Sequence, residues 1–298
     1  MNAVRRGTPA GDAYLDLQRQ ARETGRPTNE LHQLYALEGF LARLVVSPVR
    51  DQFVLKGGVL LAAFGNRRPT RDVDLSGQRI GNDTSTILEL VRSVLTVTLA
   101  DDDGLAFRPD LARAEMIRED DDYSGVRVST TAMLDRSRLT FHIDVSVGDP
   151  IHPGPTYVSV PRLRGGEPIV VAGYPMHMVL AEKIVTAVQR GTANTRWRDF
   201  GDIWILSRHH PIAGSDLQNA LVAVAQHRRA AVAPLREVLD GYSTIGQGKW
   251  TTWRQRNNCS WLPERFGDVL DTVITLADPV LAGAVSGRTW KPNTITWS

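Results

Sequence analysis

Residues 53–75 read FVLKGGVLLAAFGNRRPTRDVDL, and this stretch decides the fold. Its apolar opening is typical of a short buried strand, which Gly57-Gly58 ends. The apolar run at 59–64 predicts a short helix, and alternating polar and apolar residues at 71–76 predict a second strand. The stretch therefore combines a strand, a glycine pair, a helix and an acidic strand in one compact unit.

Two carboxylates share one face of the second strand. Side chains two positions apart in a strand point to the same side, so Asp72 and Asp74 lie together while their apolar neighbours face the core. The same alternation along 139–147 places Asp144 on the polar face of a later strand. If the two strands are neighbours, three carboxylates converge, and a divalent cation is the usual way to neutralise such a cluster. Ligands that are all oxygen favour Mg²⁺ or Mn²⁺ over Zn²⁺.

The glycine pair upstream favours a functional over a structural interpretation of these acids. An Asp-x-Asp pair on a strand is by itself more often a solvated edge than a metal site. Gly57-Gly58 follows a strand and opens a helix, an arrangement whose free backbone N–H groups can hold phosphate oxygens. The glycine pair and the carboxylates together favour a metal-dependent phosphate site.

The rest of the chain mixes helices with strands before it becomes helical. Leucines at three- and four-residue steps predict helices across 12–46. Further predicted elements are a helix at 84–99, an acidic turn at 120–125, and strands at 126–134 and 139–147 that are joined as a hairpin at 135–138. A Pro/Gly-rich passage at 149–175 separates this half from a helical remainder and is the best candidate for a domain boundary.

The composition excludes several classes of protein. With 42% hydrophobic and 23% charged residues the chain is not disordered, and a net charge of +2 excludes a uniformly basic nucleic-acid coat. A single cysteine, Cys259, excludes an internal disulfide and indicates a reducing compartment. No apolar run approaches the roughly 20 residues of a membrane span, and the N-terminal segment lacks the apolar stretch of a secretory signal. We therefore expect a cytoplasmic protein with no membrane partner.

Lysine is rare in this chain, so the few lysines that are present merit attention. The 35 basic residues include only four of them: Lys56, Lys183, Lys249 and Lys291. Lys183 falls on the apolar stripe of a predicted helix, four residues after Val179 and four before Ala187. An ammonium on a core-facing stripe is costly unless it meets an anion, so a triphosphate or an active-site carboxylate would satisfy it. A lysine that snorkels from the helix edge is the structural alternative.

Five ordered motifs between about residue 50 and residue 206 resemble the AbiEii/MenT-type nucleotidyltransferase toxins of bacterial toxin–antitoxin and abortive-infection systems. The motifs are, in order, Phe53-Val54-Leu55-Lys56-Gly57-Gly58, Arg68-x-Thr70-x-Asp72-x-Asp74-Leu75, Ile143-Asp144-Val145, Glu182-Lys183 and Arg196-x-x-Asp199-Phe200-x-Asp202. One departure is that Gly57-Gly58 stands where the wider superfamily has Gly-Ser. Phosphate binding would therefore depend on backbone donors rather than on a hydroxyl.

The resemblance implies an α/β (α+β) fold, with a polymerase-β-like nucleotidyltransferase core on a mixed sheet and a helical C-terminal lobe. We expect N-terminal helices at 1–47, the core at 48–170 and the lobe at 171–298. The implied substrate is a nucleoside triphosphate (NTP), and the implied cofactor is Mg²⁺, with Mn²⁺ as the alternative. A cognate antitoxin protein is an implied partner.

The resemblance implies catalytic roles for Asp72, Asp74, Asp144, Lys183 and Asp202. The first three would hold the metal, and Asp144 would also help to activate the acceptor hydroxyl. Lys183 would neutralise the phosphates of the nucleotide. Alanine at Asp72 or Lys183 is expected to abolish transfer and to leave the fold intact.

The nucleotide itself is expected to contact Gly57, Gly58, Thr70, Arg71, Lys183 and Asp199. Thr70 lies two residues before Asp72 and therefore faces the metal side of the strand. Arg71 and the nearby Arg68 flank the metal ligands and either contact phosphate or are solvated.

Asp199 and Asp202 lie three residues apart on one face of a predicted helix. In the functional interpretation one of them, with Asp202 favoured, orients Lys183 or contacts the nucleotide. In the structural alternative they form surface ion pairs of little energetic value with nearby arginines.

The stretch 249–261 interleaves three tryptophans with three basic residues. Aromatic faces that stack bases and cations that hold phosphates are typical of single-stranded RNA binding, and a helical core with arginines outside is the alternative. Related toxins extend the 3′ end of tRNA, so the resemblance implies a tRNA or other RNA acceptor and a block of aminoacylation and translation. Transfer to a small molecule or a protein hydroxyl, and a non-catalytic nucleotide- or RNA-binding module, are the alternatives.

Overall fold

The computed structural model describes residues 4–119 and 123–298. Within these residues, no helix combines the length and the apolar character that a bilayer span requires. The cytoplasmic location expected from the sequence stays a prediction.

Contacts divide the chain into two compact units. The first consists of Met1–Gly148 and Pro155–Tyr174, and the second of Asp149–Gly154 and Pro175–Ser298. The helices expected at 1–47 fold in the first unit together with the strands. The finer three-part division at residues 47 and 170 stays a prediction.

The first unit contains a mixed sheet, with eight strands among the described residues. They are β1 (Phe53–Lys56), β2 (Asp72–Gly77), β3 (Leu105–Phe107), β4 (Arg113–Glu119), β5 (Tyr123–Leu134), β6 (Ser137–Val147), β7 (Thr156–Val160) and β8 (Ile169–Gly173). Their spatial order is β3-β5-β6-β2-β1-β8-β7, and β4 also pairs with β5. The β2–β6 and β1–β8 pairs are parallel, and the other pairs are antiparallel.

The helices of the first unit are α1 (Pro9–Thr24), α2 (Thr28–Val46), α3 (Gly57–Leu60) and α4 (Thr84–Leu95). The helical region predicted at 12–46 forms both α1 and α2, which are separated by Gly25 in a left-handed conformation (φ 67°) and by Pro27. α2 is buried along most of its length and packs against β6 and β8. The helix predicted at 84–99 ends earlier, at Leu95.

The stretch that decides the fold forms β1, α3 and β2 in the predicted order. α3 continues as a 3₁₀ helix to Phe64, and Gly65 ends it in a left-handed conformation with φ 78°. In β2 the core residues Val73 and Leu75 are fully buried, while Asp72 and Asp74, which alternate with them, are half-buried. Because β2 and β6 are neighbours, the condition for convergence of the three acids is met.

β5 and β6 form the predicted hairpin, with longer strands than the sequence indicated. The turn has two residues, of which Asp135 is left-handed with φ 49°, and Leu134 pairs directly with Ser137. This register fixes every later pair of the hairpin. Of the acidic turn predicted at 120–125, residues 120–122 lie outside the described residues, and the remainder begins β5.

The Pro/Gly-rich passage at 149–175 is more than the separator that the sequence suggested. It contains β7 and β8, and β8 extends the sheet through a parallel pairing of Gly173 with Leu55 of β1. These strands escaped prediction because each has only five residues and lies among prolines and glycines. The short strands β3 and β4 were not predicted either.

The second unit is helical. Its elements are α5 (Met176–Arg190), α6 (Trp197–His209), α7 (Gly214–His227), α8 (Leu235–Val238), α9 (Tyr242–Arg256) and α10 (Phe266–Leu281), with a small antiparallel sheet of β9 (Ile212–Ala213), β10 (Thr289–Lys291) and β11 (Thr296–Trp297). Aromatic rings from α6, α9 and α10 pack together in its core: Trp197, Phe200, Tyr242 and Phe266. The mixed sheet and the helical C-terminal unit confirm the predicted α/β (α+β) fold class.

Candidate active site

Charged side chains form a row across four neighbouring strands of the sheet. In register order this charged row consists of Lys56 of β1, Asp74 of β2, Asp144 of β6 and Arg127 of β5. Two carboxylates therefore lie between two cations. The row exists because β2 and β6 are parallel and in register, which brings Asp74 directly beside Asp144.

A second row of polar side chains lies next to the charged row. It consists of Asp72 of β2, His142 of β6 and Ser129 of β5. Ser129 Oγ and His142 Nδ1 are 2.9 Å apart, and the Thr70 hydroxyl donates a hydrogen bond of 2.5 Å to Asp72 Oδ1. The position of Asp72 is thus fixed by its own strand and by Thr70.

The two rows bring Asp72, Asp74 and Asp144 together. Each offers one carboxylate oxygen, and these oxygens lie within 4.8 Å of one another. All three side chains are half-buried, whereas the alternate residues of both strands face the core. The convergence that the strand alternation predicted is present in the structure. We call these three residues the acidic triad.

The electrostatics of the acidic triad favour the binding of a divalent cation. Burial, together with the negative charges of Asp72 and Asp144, raises the pKa of Asp74 from 3.8 to about 7. The Lys56 ammonium and the backbone N–H of Gly58, which donates to Asp74 Oδ2 at 3.2 Å, offset part of this rise. A carboxylate whose ionisation is opposed by two like charges gains strongly from a bound cation, and an all-oxygen donor set suits Mg²⁺ or Mn²⁺.

The glycine pair lies directly against the triad. Gly57 is left-handed with φ 66°, and a Cβ atom there would lie 1.8 Å from Asp74 Oδ2. A Cβ atom on Gly58 would lie 2.9 Å from the Thr70 hydroxyl oxygen. A side chain at Gly57 would therefore collide with the Asp74 carboxylate, and one at Gly58 would crowd the Thr70 side chain. The Gly58 N–H that was predicted to hold phosphate already donates to Asp74, and its contact with phosphate stays a prediction.

Arg127 is the residue of the site that the sequence analysis missed. Its Nε–H donates to Asp144 Oδ1 at 2.8 Å, and its Nη2–H donates to Oδ2 at 2.6 Å. The contact depends on the length of the hairpin turn, which the sequence analysis placed only within residues 135–138. A two-residue turn pairs Leu134 with Ser137, and moving outward along both strands from that pair reaches Arg127 opposite Asp144.

The arginines that flank the metal ligands in sequence contribute less to the observed geometry. The Arg71 side chain is exposed, and its backbone carbonyl accepts a hydrogen bond from the backbone N–H of His142. Arg68 Nη1–H donates to the backbone carbonyl of Pro69 at 3.3 Å. Phosphate contact by either arginine stays a prediction.

A second charged cluster lies in the helical unit. The Lys183 ammonium on α5 donates to Asp199 Oδ1 at 2.6 Å and to Asp202 Oδ2 at 2.9 Å, both on α6. Asp199 and Asp202 are only 8% and 2% exposed. We call these three residues the lysine cluster. Burial raises the pKa of Asp199, but the adjacent Lys183 outweighs this, and the pKa is lowered from 3.8.

The lysine cluster decides between the two interpretations of its acids. Both Asp199 and Asp202 are buried and contact Lys183, so the alternative is wrong in placing them at the surface. The ammonium on the apolar stripe meets carboxylates, as the cost of burying it required. Their direct contact with a nucleotide stays a prediction.

The tryptophans of 249–261 divide between core and surface. Trp250 is fully buried and stacks on Trp253 and Phe266, with ring centroids 5.3 Å and 5.1 Å apart. The core interpretation is therefore correct for Trp250. Trp261 is 47% exposed, on a loop after α9 that Arg254 holds by donating to two of its carbonyls.

Comparisons with known proteins add a family to this geometry. The family model described as nucleotidyl transferase AbiEii toxin, type IV TA system, matches residues 39–259. Two solved structures from Helicobacter pylori match at low identity. One, described as a proposed nucleotidyltransferase, is 15% identical with a TM-score of 0.49, and the match covers 86% of this chain and 96% of that one. The other, JHP933, is 16% identical with a TM-score of 0.43, with 78% and 98% covered. No curated protein matches the chain.

Proposed function

Because the chain belongs to the AbiEii nucleotidyltransferase toxin family of type IV toxin–antitoxin systems, we propose that it transfers a nucleotide from an NTP to RNA, at the 3′ acceptor end of tRNA. The observation that carries the proposal is the acidic triad, whose oxygens lie within 4.8 Å of one another beside Gly57-Gly58. A toxin of a type IV system implies an antitoxin partner, and we expect a cognate antitoxin protein for this chain.

The acidic triad would hold Mg²⁺, or Mn²⁺ in its place, through the oxygens of Asp72, Asp74 and Asp144. A divalent cation bound there supplies Lewis-acid polarisation of the phosphoryl oxygens and neutralises developing charge. The chain contributes pre-organisation, because the carboxylates are held before any ligand arrives. Thr70 and Gly58 hold Asp72 and Asp74 through the hydrogen bonds described above.

The proposed reaction is an in-line displacement at the α-phosphorus. The oxygen of the acceptor hydroxyl forms the new P–O bond, while the bond from the α-phosphorus to the oxygen that bridges the α- and β-phosphates breaks. Pyrophosphate leaves with that electron pair. The hydroxyl proton passes to a carboxylate of the site, and Asp144 is the proposed acceptor.

Lys183 is proposed to neutralise the phosphates of the nucleotide, with Asp199 and Asp202 orienting its ammonium. Two features support this role: its place in the Glu182-Lys183 motif of the family resemblance, and the two charge-assisted hydrogen bonds that hold the ammonium. The remaining proposed nucleotide contacts are Gly57, Gly58, Thr70 and Arg71.

The surface of α9 supports RNA as the acceptor. The helix contains no Asp or Glu in its 15 residues, and it exposes Lys249 and Arg256. Trp261 is half-exposed on the loop that follows. Exposed cations with an aromatic face suit single-stranded RNA ends. A nucleotide added to the tRNA 3′ end would block the hydroxyl that accepts the amino acid, and aminoacylation and translation would stop.

The test is to incubate the protein with each α-labelled NTP and total RNA, and then to digest with ribonuclease or protease. We expect label in tRNA-sized RNA that ribonuclease removes. Asp72→Asn is the matched control and should transfer none. Periodate oxidation of the tRNA 3′ diol should also abolish labelling, because it destroys the proposed acceptor.

Other outcomes would identify the alternatives. Label that resists ribonuclease but is lost with protease indicates a protein hydroxyl as acceptor. Label in small molecules indicates a metabolite or drug acceptor. Absence of transfer with every NTP and RNA pool would contradict the proposal and favour a non-catalytic nucleotide- or RNA-binding module.

A further inference from the structure

We propose that Arg127 is a positioning residue of the metal site, which holds Asp144 in the orientation that lets the carboxylate share a cation with Asp72 and Asp74. This inference rests on the proposed metal-dependent transfer. It concerns a residue outside the five motifs that carry the family resemblance, and it assigns the third carboxylate a dedicated partner.

The contact between Arg127 and Asp144 is a fork on both oxygens, with donor–acceptor distances of 2.8 and 2.6 Å. A planar guanidinium that binds both oxygens fixes the plane of the carboxylate as well as its distance, which a lysine ammonium does not do. The Asp144 side chain is 14% exposed and that of Arg127 is 33% exposed. The pair is therefore sheltered enough to hold one geometry.

This contact leaves Asp144 able to bind a cation. An ionised carboxylate has roughly four lone-pair positions on its two oxygens, and the fork of Arg127 uses one on each. In this held position an oxygen of Asp144 still lies within 4.8 Å of the oxygens offered by Asp72 and Asp74. The guanidinium and a metal ion can thus be bound together.

Asp144 needs a partner because its neighbours repel it. Asp144 lies directly beside Asp74 in register, and the oxygens that the three acids offer lie within 4.8 Å of one another, so their negative charges repel. Without Arg127, rotation of the Asp144 side chain away from the two other carboxylates would relieve that repulsion. Arg127 makes the converged arrangement the stable one before a cation arrives.

Charge and positioning predict opposite effects when Arg127 is neutralised. By charge alone, removal of a cation beside a metal site should strengthen the binding of a divalent metal. By positioning, loss of the hydrogen-bonding partner of a ligand should weaken metal binding by about 10–100-fold. The sign of the change therefore identifies the role.

The experiment is a titration of the full-length protein with Mn²⁺ alone, in which electron paramagnetic resonance measures free Mn²⁺. We expect Arg127→Gln to raise the dissociation constant by about tenfold or more. Arg127→Lys, which keeps the charge and loses the fork, should also bind more weakly. Arg138→Gln is the matched control, because Arg138 is exposed on the same hairpin, and it should stay within about twofold of the wild type.

The activity readout separates positioning from a general structural defect. Arg127→Gln should need more Mn²⁺ for half-maximal transfer, while its rate at saturating Mn²⁺ recovers toward that of the wild type. Melting temperature checks the fold of each variant. If Arg127→Gln does not fold, Arg127→Lys carries the same test, because it keeps the charge and most of the hydrocarbon stem.

Unchanged or tighter Mn²⁺ binding by the folded Arg127 variants would overturn the positioning role. Asp72→Asn distinguishes this failure from failure of the proposed function. If Asp72→Asn loses Mn²⁺ binding while Arg127→Gln keeps it, only the positioning role is wrong. If Asp72→Asn binds Mn²⁺ as the wild type does, the metal site itself is wrong.

Discussion

The acidic triad and the lysine cluster both contain aspartates that lie close together, but the pKa values of Asp74 and Asp199 are shifted in opposite directions. In the triad, three half-buried carboxylates lie together, and burial and mutual repulsion raise the pKa of Asp74 to about 7. In the lysine cluster, two buried carboxylates share one ammonium, and the pKa of Asp199 is lowered. The first arrangement has unmet negative charge that a cation from solution can neutralise. In the second, an ammonium of the chain itself already lies in contact with both carboxylates.

This difference teaches how to separate a ligand site from an orienting ion pair among clustered acids. The direction of the pKa change reports whether the folded protein opposes or favours the ionised carboxylate. At Asp74 the protein opposes ionisation, a cost that persists at functional sites. At Asp199 the protein favours ionisation, so breaking its ion pair with Lys183 should cost stability.

The largest expected effect is on catalysis by the triad. Asp72→Asn removes one charged ligand while its amide can still accept the Thr70 hydrogen bond, so the fold should be kept. We expect the initial rate of nucleotide transfer to fall by on the order of 10³-fold or more. The measurement is incorporation of labelled NTP into RNA. Retention of more than a tenth of the wild-type rate would contradict a ligand role.

In the lysine cluster the larger effect should be on stability. Lys183→Met removes the ammonium that contacts the buried Asp199 and Asp202, which should lower the free energy of unfolding by about 3–5 kcal/mol. Urea denaturation measures this change. Lys249→Met, at an exposed position of α9, is the control and should change it by less than about 0.5 kcal/mol. The expectation from the sequence, that loss of Lys183 leaves the fold intact, stays a prediction that the same measurement tests.

The pH dependence of the stability of the metal-free protein should reveal the cost of ionising Asp74 within the triad. The pKa of Asp74 is about 7 in the folded state and 3.8 ordinarily, so the folded state binds an extra proton between these values. The contribution of Asp74 to stability should therefore fall as pH rises from about 4 to about 7. Asp74→Asn removes this loss and should be more stable than the wild type at pH 8 by about 2–4 kcal/mol, with little difference at pH 4.

Thermal melts with a chelator present measure this pH difference, and Mn²⁺ should reverse it by stabilising the wild type alone. Equal stability of the two proteins at pH 8 without metal would show that the triad is not strained.

The glycine pair offers a matched comparison of backbone strain with site geometry. Gly57→Ala and Gly65→Ala both place an L-residue in a left-handed conformation, with φ 66° and 78°, at a shared cost of about 1–2 kcal/mol. Only the Cβ atom at Gly57 would meet Asp74 Oδ2. We therefore expect Mn²⁺ binding to weaken in Gly57→Ala and to stay unchanged in Gly65→Ala. Equal Mn²⁺ affinity in the two variants would separate the glycine pair from the metal site.

The smallest expected effect is the loss of the Asp199 ion pair at acidic pH. The contribution of Asp199 to stability falls as pH decreases, whereas that of Asp74 falls as pH increases. The folded-state pKa of Asp199 lies below its ordinary 3.8, so its ion pair stabilises the fold fully above that value. The stabilisation is lost as pH falls through the folded-state pKa. The stability difference between the wild type and Asp199→Asn should therefore be constant near neutral pH and shrink below about pH 4. A difference that persists unchanged to pH 2 would contradict the ion pair.

The sequence predicted the parts of the fold that local periodicity specifies. The strand, glycine pair, helix and strand of residues 53–75 follow from short-range sequence patterns. The same alternation predicts that Asp72 and Asp74 share one face of the second strand. The convergence with Asp144 required one further assumption, that β2 and β6 are neighbours, which no local signal supplied. The family resemblance made that pairing plausible, and the parallel register confirmed it.

What could not be predicted depends on pairing between distant or short segments. β7 and β8 have five residues each, and their stability comes from the sheet that they join rather than from their own periodicity. Prediction of the Arg127–Asp144 contact required the exact length of the hairpin turn. The sequence placed this turn only within residues 135–138. The interleaved pattern of 249–261 does not separate Trp250 from Trp261, and tertiary packing decides which one is buried.

The most direct test of the metal site is anomalous X-ray scattering from crystals of the protein grown with Mn²⁺ and a non-hydrolysable NTP. We expect the manganese peak to be coordinated by oxygens of Asp72, Asp74 and Asp144, with none at Asp199 and Asp202. A manganese site elsewhere, or an Asp144 that points away from the other two carboxylates, would contradict the account.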